Sequence, residues 1–131
     1  MATARAVRRA YDRCLAEVGV NLTEASILAH LGEGSLTQVQ LASRIGTSRA
    51  RVGVHVDSLA GKGAVQRLAD PADRRVWLVG LTPAGTDLWT RTIEIDKRVR
   101  NYLRAGTTAE ERAHLDRLLA QIQHNVETIP T

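Results

Sequence analysis

The sequence contains no phenylalanine, and its 131 residues include only two tryptophans and two tyrosines. Any core must therefore be built from Leu, Val, Ile and Ala. A single cysteine, Cys14, excludes an internal disulfide. No apolar run is long enough to span a bilayer, and the N-terminus shows no signal-peptide pattern. The expectation is a soluble, cytoplasmic chain with no membrane partner. Internal repeats and low-complexity segments are absent, and the length suits one domain over residues 1–131.

What the chain does have is helix-forming composition and a localised positive charge. Apolar residues make up 44%, and Ala, Leu, Arg and Glu favour helix over sheet. Lys and Arg number 18 against 14 Asp and Glu, a formal charge of +4. Between Arg44 and Arg75 lie seven basic residues and three acids, so the whole excess falls in that quarter; elsewhere the signs balance at eleven each. A charge excess so focused points to a polyanion, although a solvated charged face would read the same way.

Periodicity divides the chain into helices around one hairpin. Val7, Tyr11, Cys14, Leu15 and Val18 recur at helical steps until Gly19. A second helix is expected from Thr23 as N-cap, carrying Ile27, Leu28 and Leu31 to the glycines at 32–34. Thr37 and Gln40 form a capping-box pair for a short helix whose buried side is read as Val39, Leu41, Ala42 and Ile45. Gly46 supplies a turn, and Ser48 caps a helix bearing Val52, Val56 and Leu59. Two short helices joined by a glycine turn make a helix-turn-helix. Residues 64–68 and 76–79 then read as strands flanking the polar turn Asp70–Arg75, a β-hairpin with a basic tip. Thr82-Pro83 starts a long helix to about Arg104. Thr107 and Glu110 suggest a further capping box, opening a helix with Leu115, Leu118, Leu119, Ile122, Val126 and Ile129 along one side. The fold class is mainly α with a small β-hairpin wing.

This order of elements resembles the MarR family of bacterial transcriptional regulators. Leu41-Ala42, Gly46, Ser48, Val52, Val56-Asp57, Leu59 and Gly63 carry the resemblance, followed by Asp73-Arg74-Arg75 and Leu81-Thr82 with Gly85. The resemblance implies a winged helix-turn-helix over about 22–85 and dimerisation helices over about 1–20 and 83–131. It implies a homodimer that represses transcription from a pseudo-palindromic operator in double-stranded DNA, with relief by a small-molecule effector or an oxidant. The apolar stripe of the last helix independently asks for a cover, either a partner chain through Leu115, Leu118, Leu119, Ile122 and Val126 or packing within the monomer.

The proposed DNA contacts follow from helix-turn-helix geometry and the family likeness. The helix after Ser48 would enter the major groove, with Ser48, Arg49 and Arg51 foremost. Thr37 and Gln38 would touch phosphate. Arg75 occupies the arginine position of the family's Asp-x-Arg wing motif and by likeness enters the minor groove. Asp73 would orient it or brace the hairpin, and Arg74 would reach the backbone. Gly53 and Val54 depart from the Thr-Arg pair of many relatives, so base preference does not carry over; His55 stands where an apolar residue is usual.

Other features favour ordinary packing. Cys14 reads as an inert thiol rather than a redox sensor, with only Arg13 beside it. His30, His55, His114 and His124 form no ligand pair, so no metal or cofactor is expected. Trp77 and Trp89 could line an effector pocket, with core packing the simpler reading. No phosphate loop, metal set or nucleophile–base pair is present, which argues against an enzyme. The competing reading is a winged protein-interaction module that does not read DNA.

Overall fold

A computed structural model describes all residues, Met1–Thr131. It consists of α1 (Ala2–Leu15) with a 3-10 turn at Ala16–Val18, α2 (Leu22–Leu31), α3 (Gln38–Ile45), α4 (Arg49–Gly61), β1 (Val65–Ala69), β2 (Trp77–Leu81), α5 (Pro83–Arg104) and α6 (Ala109–Glu127). The mainly helical class with a hairpin wing is what the periodicity predicts. The chain divides into two compact units, Met1–Val99 and Arg100–Thr131.

The first unit holds the core. Ile27, Leu28, Leu41, Val52, Val56 and Leu59 are fully buried, so α2, α3 and α4 share one apolar centre, with Val79 of β2 and Ile95 of α5 added to it. No aromatic side chain is fully buried. Tyr11 instead uses its hydroxyl, donating to Asp96 Oδ1 at 2.7 Å and tying α1 to α5. Lys62 meets the buried Glu24 carboxylate at 3.3 Å.

The start of α2 is Asn21 rather than Thr23. The Asn21 side chain accepts from the Glu24 N–H, and Glu24 accepts from the Asn21 N–H. The Leu22 N–H, which would otherwise be orphaned, donates to Asp12 Oδ1 at 2.7 Å. Thr23 thus sits inside the first turn.

The wing is an antiparallel pair with Val65 opposite Leu81 and Ala69 opposite Trp77. Leu36 adds a bridge to Val79 on the far edge, with N–H···O distances of 3.0 and 2.7 Å. Both strands are shifted from the expected 64–68 and 76–79: each starts one residue later, β1 ends one later at Ala69, opposite Trp77, and β2 ends two later at Leu81, opposite Val65. Thr82 caps α5 as expected, accepting from the Gly85 N–H, while its own N–H donates to the Ala64 carbonyl. A Cβ on Gly85 would land on that carbonyl. The Leu-Thr-x-x-Gly spacing therefore has a steric cause: only glycine lets the first turn of α5 close on the base of the wing.

Three further expectations need correction. Val39 is 59% exposed, because it lies about 200° around α3 from the buried Leu41. Trp77 is 61% exposed at the outer end of β2, where no second layer covers the wing. Trp89, by contrast, packs half-buried against the core as the simpler reading expects, its indole against Gly32 at the end of α2. The cap of α6 is Thr108 with Glu111, one residue later than expected. Gly106 at φ 77° turns the chain so that the Thr107 N–H and hydroxyl both return to the Arg104 carbonyl, which spends Thr107 on closing α5.

The second unit is helical, and none of α6 is buried. Leu115, Leu118, Leu119, Ile122, Val126 and Ile129 are all exposed in the single chain.

Candidate nucleic-acid interface

The turn between α3 and α4 sets the geometry. Gly46 adopts φ 78°, and the N–H groups of Gly46 and Thr47 both return to the Ala42 carbonyl at 2.9 and 3.0 Å. The chain is thereby reversed within three residues. The Ser48 hydroxyl accepts from the Arg51 N–H at 3.2 Å, which starts α4. Thr37 and Gln40 cap α3 reciprocally. In both caps the hydroxyl works as an acceptor, which leaves its proton to donate outward. Each helix start also carries partial positive charge, suited to phosphate.

Four of the seven residues assigned to DNA come together. Thr37, Gln38, Arg49 and Arg75 line one groove of about 370 Å³, together with Arg67 and Trp77. Arg51 lies on the other side of α4, in a depression of about 380 Å³ with Arg8, Thr47 and His55. Ser48 stands at the head of α4 between them, and Arg74 lines neither.

At the wing tip, Asp73 and Arg75 form a two-point pair. Arg75 Nε donates to Oδ1 at 3.1 Å and Nη2 to Oδ2 at 3.2 Å, while the Arg75 N–H also donates to Oδ1 at 3.1 Å. The guanidinium, followed by the backbone N–H, holds the Asp73 carboxyl below its ordinary value. The Arg75 side chain is nonetheless 90% exposed. The guanidinium is thus held by Asp73 while remaining open to solvent. The hairpin below it is closed by Asp70 N–H to the Val76 carbonyl and Val76 N–H to the Asp73 carbonyl.

Sequence reasoning missed the role of Arg67. This β1 residue donates from Nη2 to Asp57 Oδ1 at 2.6 Å, and from Nε and Nη2 to Gln38 Oε1 at 3.2 and 2.9 Å. One guanidinium thus joins the wing to both helices of the helix-turn-helix. It also fixes the Gln38 carboxamide with its NH2 toward Gly53, where a Cβ would stand 3.3 Å away. Gly53 makes room for Gln38. No local sequence signal reveals this triangle, since its members lie 10 and 29 positions apart.

Pairing refines the charge count. Arg67, Arg75 and Lys62 are each matched by an acid, whereas Arg44, Arg49, Arg51 and Arg74 form no ion pair. Three of those four are among the residues assigned to DNA. Cys14 is partly buried against the core. The Arg98 guanidinium is held above its ordinary value, chiefly by Glu17 at 2.8 Å.

Comparison with known proteins agrees with this geometry. The MarR family model matches residues 18–76. An HTH-type transcriptional regulator of Bacillus subtilis (strain 168), YdgJ, is 29% identical over 119 residues, covering 91% of this chain and 71% of that protein. The solved transcriptional regulator PA3341 is 32% identical, with a TM-score of 0.84 over 97% of this chain and 94% of that one. The transcriptional repressor CouR, solved bound to a 23-mer DNA duplex, is 27% identical with a TM-score of 0.83, covering 93% and 89%. With its helix-turn-helix, wing and flanking helices matched along nearly their whole length, the chain belongs to the MarR family of transcriptional regulators, which are not enzymes.

Proposed function

We propose that this regulator binds double-stranded DNA sequence-specifically as a homodimer, and represses transcription from a pseudo-palindromic operator. The observation that carries the proposal is the convergence of Thr37, Gln38, Arg49 and Arg75 on one groove beside the exposed head of α4. In this reading α4 enters the major groove, with Arg49 and Arg51 flanking its axis and reaching bases or adjacent phosphates. Arg75, oriented by Asp73, enters the minor groove, and Arg74 contacts the backbone. Thr37 and Ser48 donate their hydroxyl protons to phosphate. Gln38 offers its NH2 group beside them. The duplex-bound repressor CouR, 27% identical, supports the assignment.

Residues of about 22–85 form the DNA-binding part, and about 1–20 with 83–131 the dimerisation part. Dimerisation is supported by the open stripe Leu115, Leu118, Leu119, Ile122 and Val126 on α6. These side chains are 40–58% exposed in the single chain, so covering them with a second copy would contribute on the order of 1 kcal/mol each before the costs of association. Relief by a small-molecule ligand or an oxidant is the part of the reading that family likeness alone carries. The arginines argue against a winged module that binds only protein, since such a module needs no row of unpaired guanidinium groups at a helix head.

Fluorescence anisotropy against the promoter DNA beside the protein's own gene tests the proposal. The expected result is preference over scrambled duplex, with affinity falling steeply as salt rises. Arg49, Arg51 and Arg74 in two protomers correspond to a log–log slope of about −5. Equal, weak binding to both duplexes would contradict specific recognition there.

A further inference from the structure

The face of α4 turned directly away from the core is not basic. Val52, Val56 and Leu59 define its buried side. At about 100° per residue, the opposite midline runs through Ala50 and Val54, with Arg49 and Gly53 on one flank and Arg51 and His55 on the other. Val54 is 67% exposed. Asp57, the next residue near that midline, has its carboxylate held by Arg67. The leading half of α4 therefore presents a small apolar ridge between two grooves that each hold an unpaired arginine.

An exposed valine there gains nothing from water. Packing inside this chain cannot explain it, since its neighbours at 52 and 56 already fill the core side. Charge complementarity fixes the occupant. A ridge flanked by Arg49 and Arg51 meets a polyanion whose surface between the phosphates is partly apolar. The floor of the DNA major groove is such a surface, and its one apolar group that projects from a base edge is the C5-methyl of thymine.

We propose that Val54, with Ala50 one turn before it, is a specificity-determining residue that reads thymine methyl groups in the major groove. The inference rests on the DNA-binding reading above and deepens it by naming what the centre of α4 recognises. Ala50 is small enough to let the helix sit close. The γ-methyls of Val54 then pack on the thymine methyl, displacing water from both. Gly53 contributes by leaving the adjacent side of the helix free for the Gln38 carboxamide. Arginine in place of Val54 would reach for guanine instead, so this chain should prefer an A·T pair at the matching position.

Removal of one methyl group from the DNA gives a direct test. A duplex would first be selected from a random-sequence pool by the full-length protein. Each thymine in it would then be replaced singly by uracil, which lacks only the C5-methyl. For the wild type, at least one thymine per half-site should lose about fourfold in affinity, the effect of one buried carbon. Val54→Ala should bind the thymine and uracil duplexes equally at that position. Val54→Thr, which keeps one methyl, should retain part of the discrimination. Because position 54 is exposed, both variants should melt with the wild type, and a variant that does not is replaced by the other. Two results overturn the inference while leaving the DNA-binding reading intact: a selected duplex whose thymines all tolerate uracil, or a uracil effect that persists unchanged in Val54→Ala. Failure to select any preferred duplex overturns the reading itself, and the inference with it.

Discussion

At the scale of single residues, the wing arginine is the clearest case of preparation before binding. Asp73 accepts from Nε and Nη2 of the Arg75 guanidinium and from its backbone N–H, yet leaves the side chain in solvent. An exposed pair of this kind adds little to stability. Its effect is to hold one rotamer, so that in the proposed complex less entropy would be lost when the arginine docks. Because Asp73 titrates below its ordinary value, the pair is fully present above the ordinary aspartate range and is lost only as pH falls through the lowered value. NMR of the Asp73 carboxyl carbon should therefore give a midpoint below that of a free aspartate, and Arg75→Ala should return it upward. An unchanged midpoint would mean that the pair does not persist in solution. The same substitution should weaken operator binding on the order of tenfold, measured by anisotropy. The motif was legible in sequence because its members are two positions apart. The Arg67 triangle was not, because only the folded hairpin carries β1 over α3 and α4. Trp77 and Val39 misled for a related reason: apolar character does not tell which face of a thin wing or short helix is covered.

At the scale of elements, boundaries were legible where chemistry is local. Thr37 with Gln40, Ser48, and Thr82 before Pro83 each cap the helix that their types predict. The reading missed where two candidates compete, and a tertiary bond decided between them. Asp12 of α1 takes the Leu22 N–H, and so α2 begins after Asn21. Thr107 returns to Arg104, and so Thr108 caps α6. Two glycines separate helix propensity from packing. Gly85→Ala should destabilise by about 1–3 kcal/mol, seen as a lower urea midpoint, since its Cβ would strike the Ala64 carbonyl. A wild-type midpoint would mean that α5 does not close on the wing base. Gly53→Ala should do the opposite, gaining up to about 1 kcal/mol of helix propensity, because the Gln38 Nε2 it meets at 3.3 Å is the far end of an exposed side chain that can give by a few tenths of an ångström while keeping its bonds to Arg67. A fall in midpoint would show that the Gln38–Arg67–Asp57 triangle is stiffer than an exposed network should be.

At the scale of the whole molecule, the proposed function requires two copies acting together. The apolar stripe of α6 was plain from spacing alone, and in the single chain it stands open. Its partner was not legible, because a stripe reads the same whether it packs within a monomer or against a second chain. Leu118→Asp should give a monomer by sedimentation and lose operator binding with it, since each half-site alone would offer half the contacts. A variant that stays dimeric and binds normally would place the dimer contact elsewhere. The measurement that bears most directly on the central claim is hydroxyl-radical footprinting of the wild-type protein on its selected duplex, with stoichiometry by native mass spectrometry. A dimer on a pseudo-palindrome gives two chains per duplex, and two protected half-sites centred about one helical turn, roughly 34 Å, apart. One chain on a single protected patch, or no localised protection at all, would contradict it.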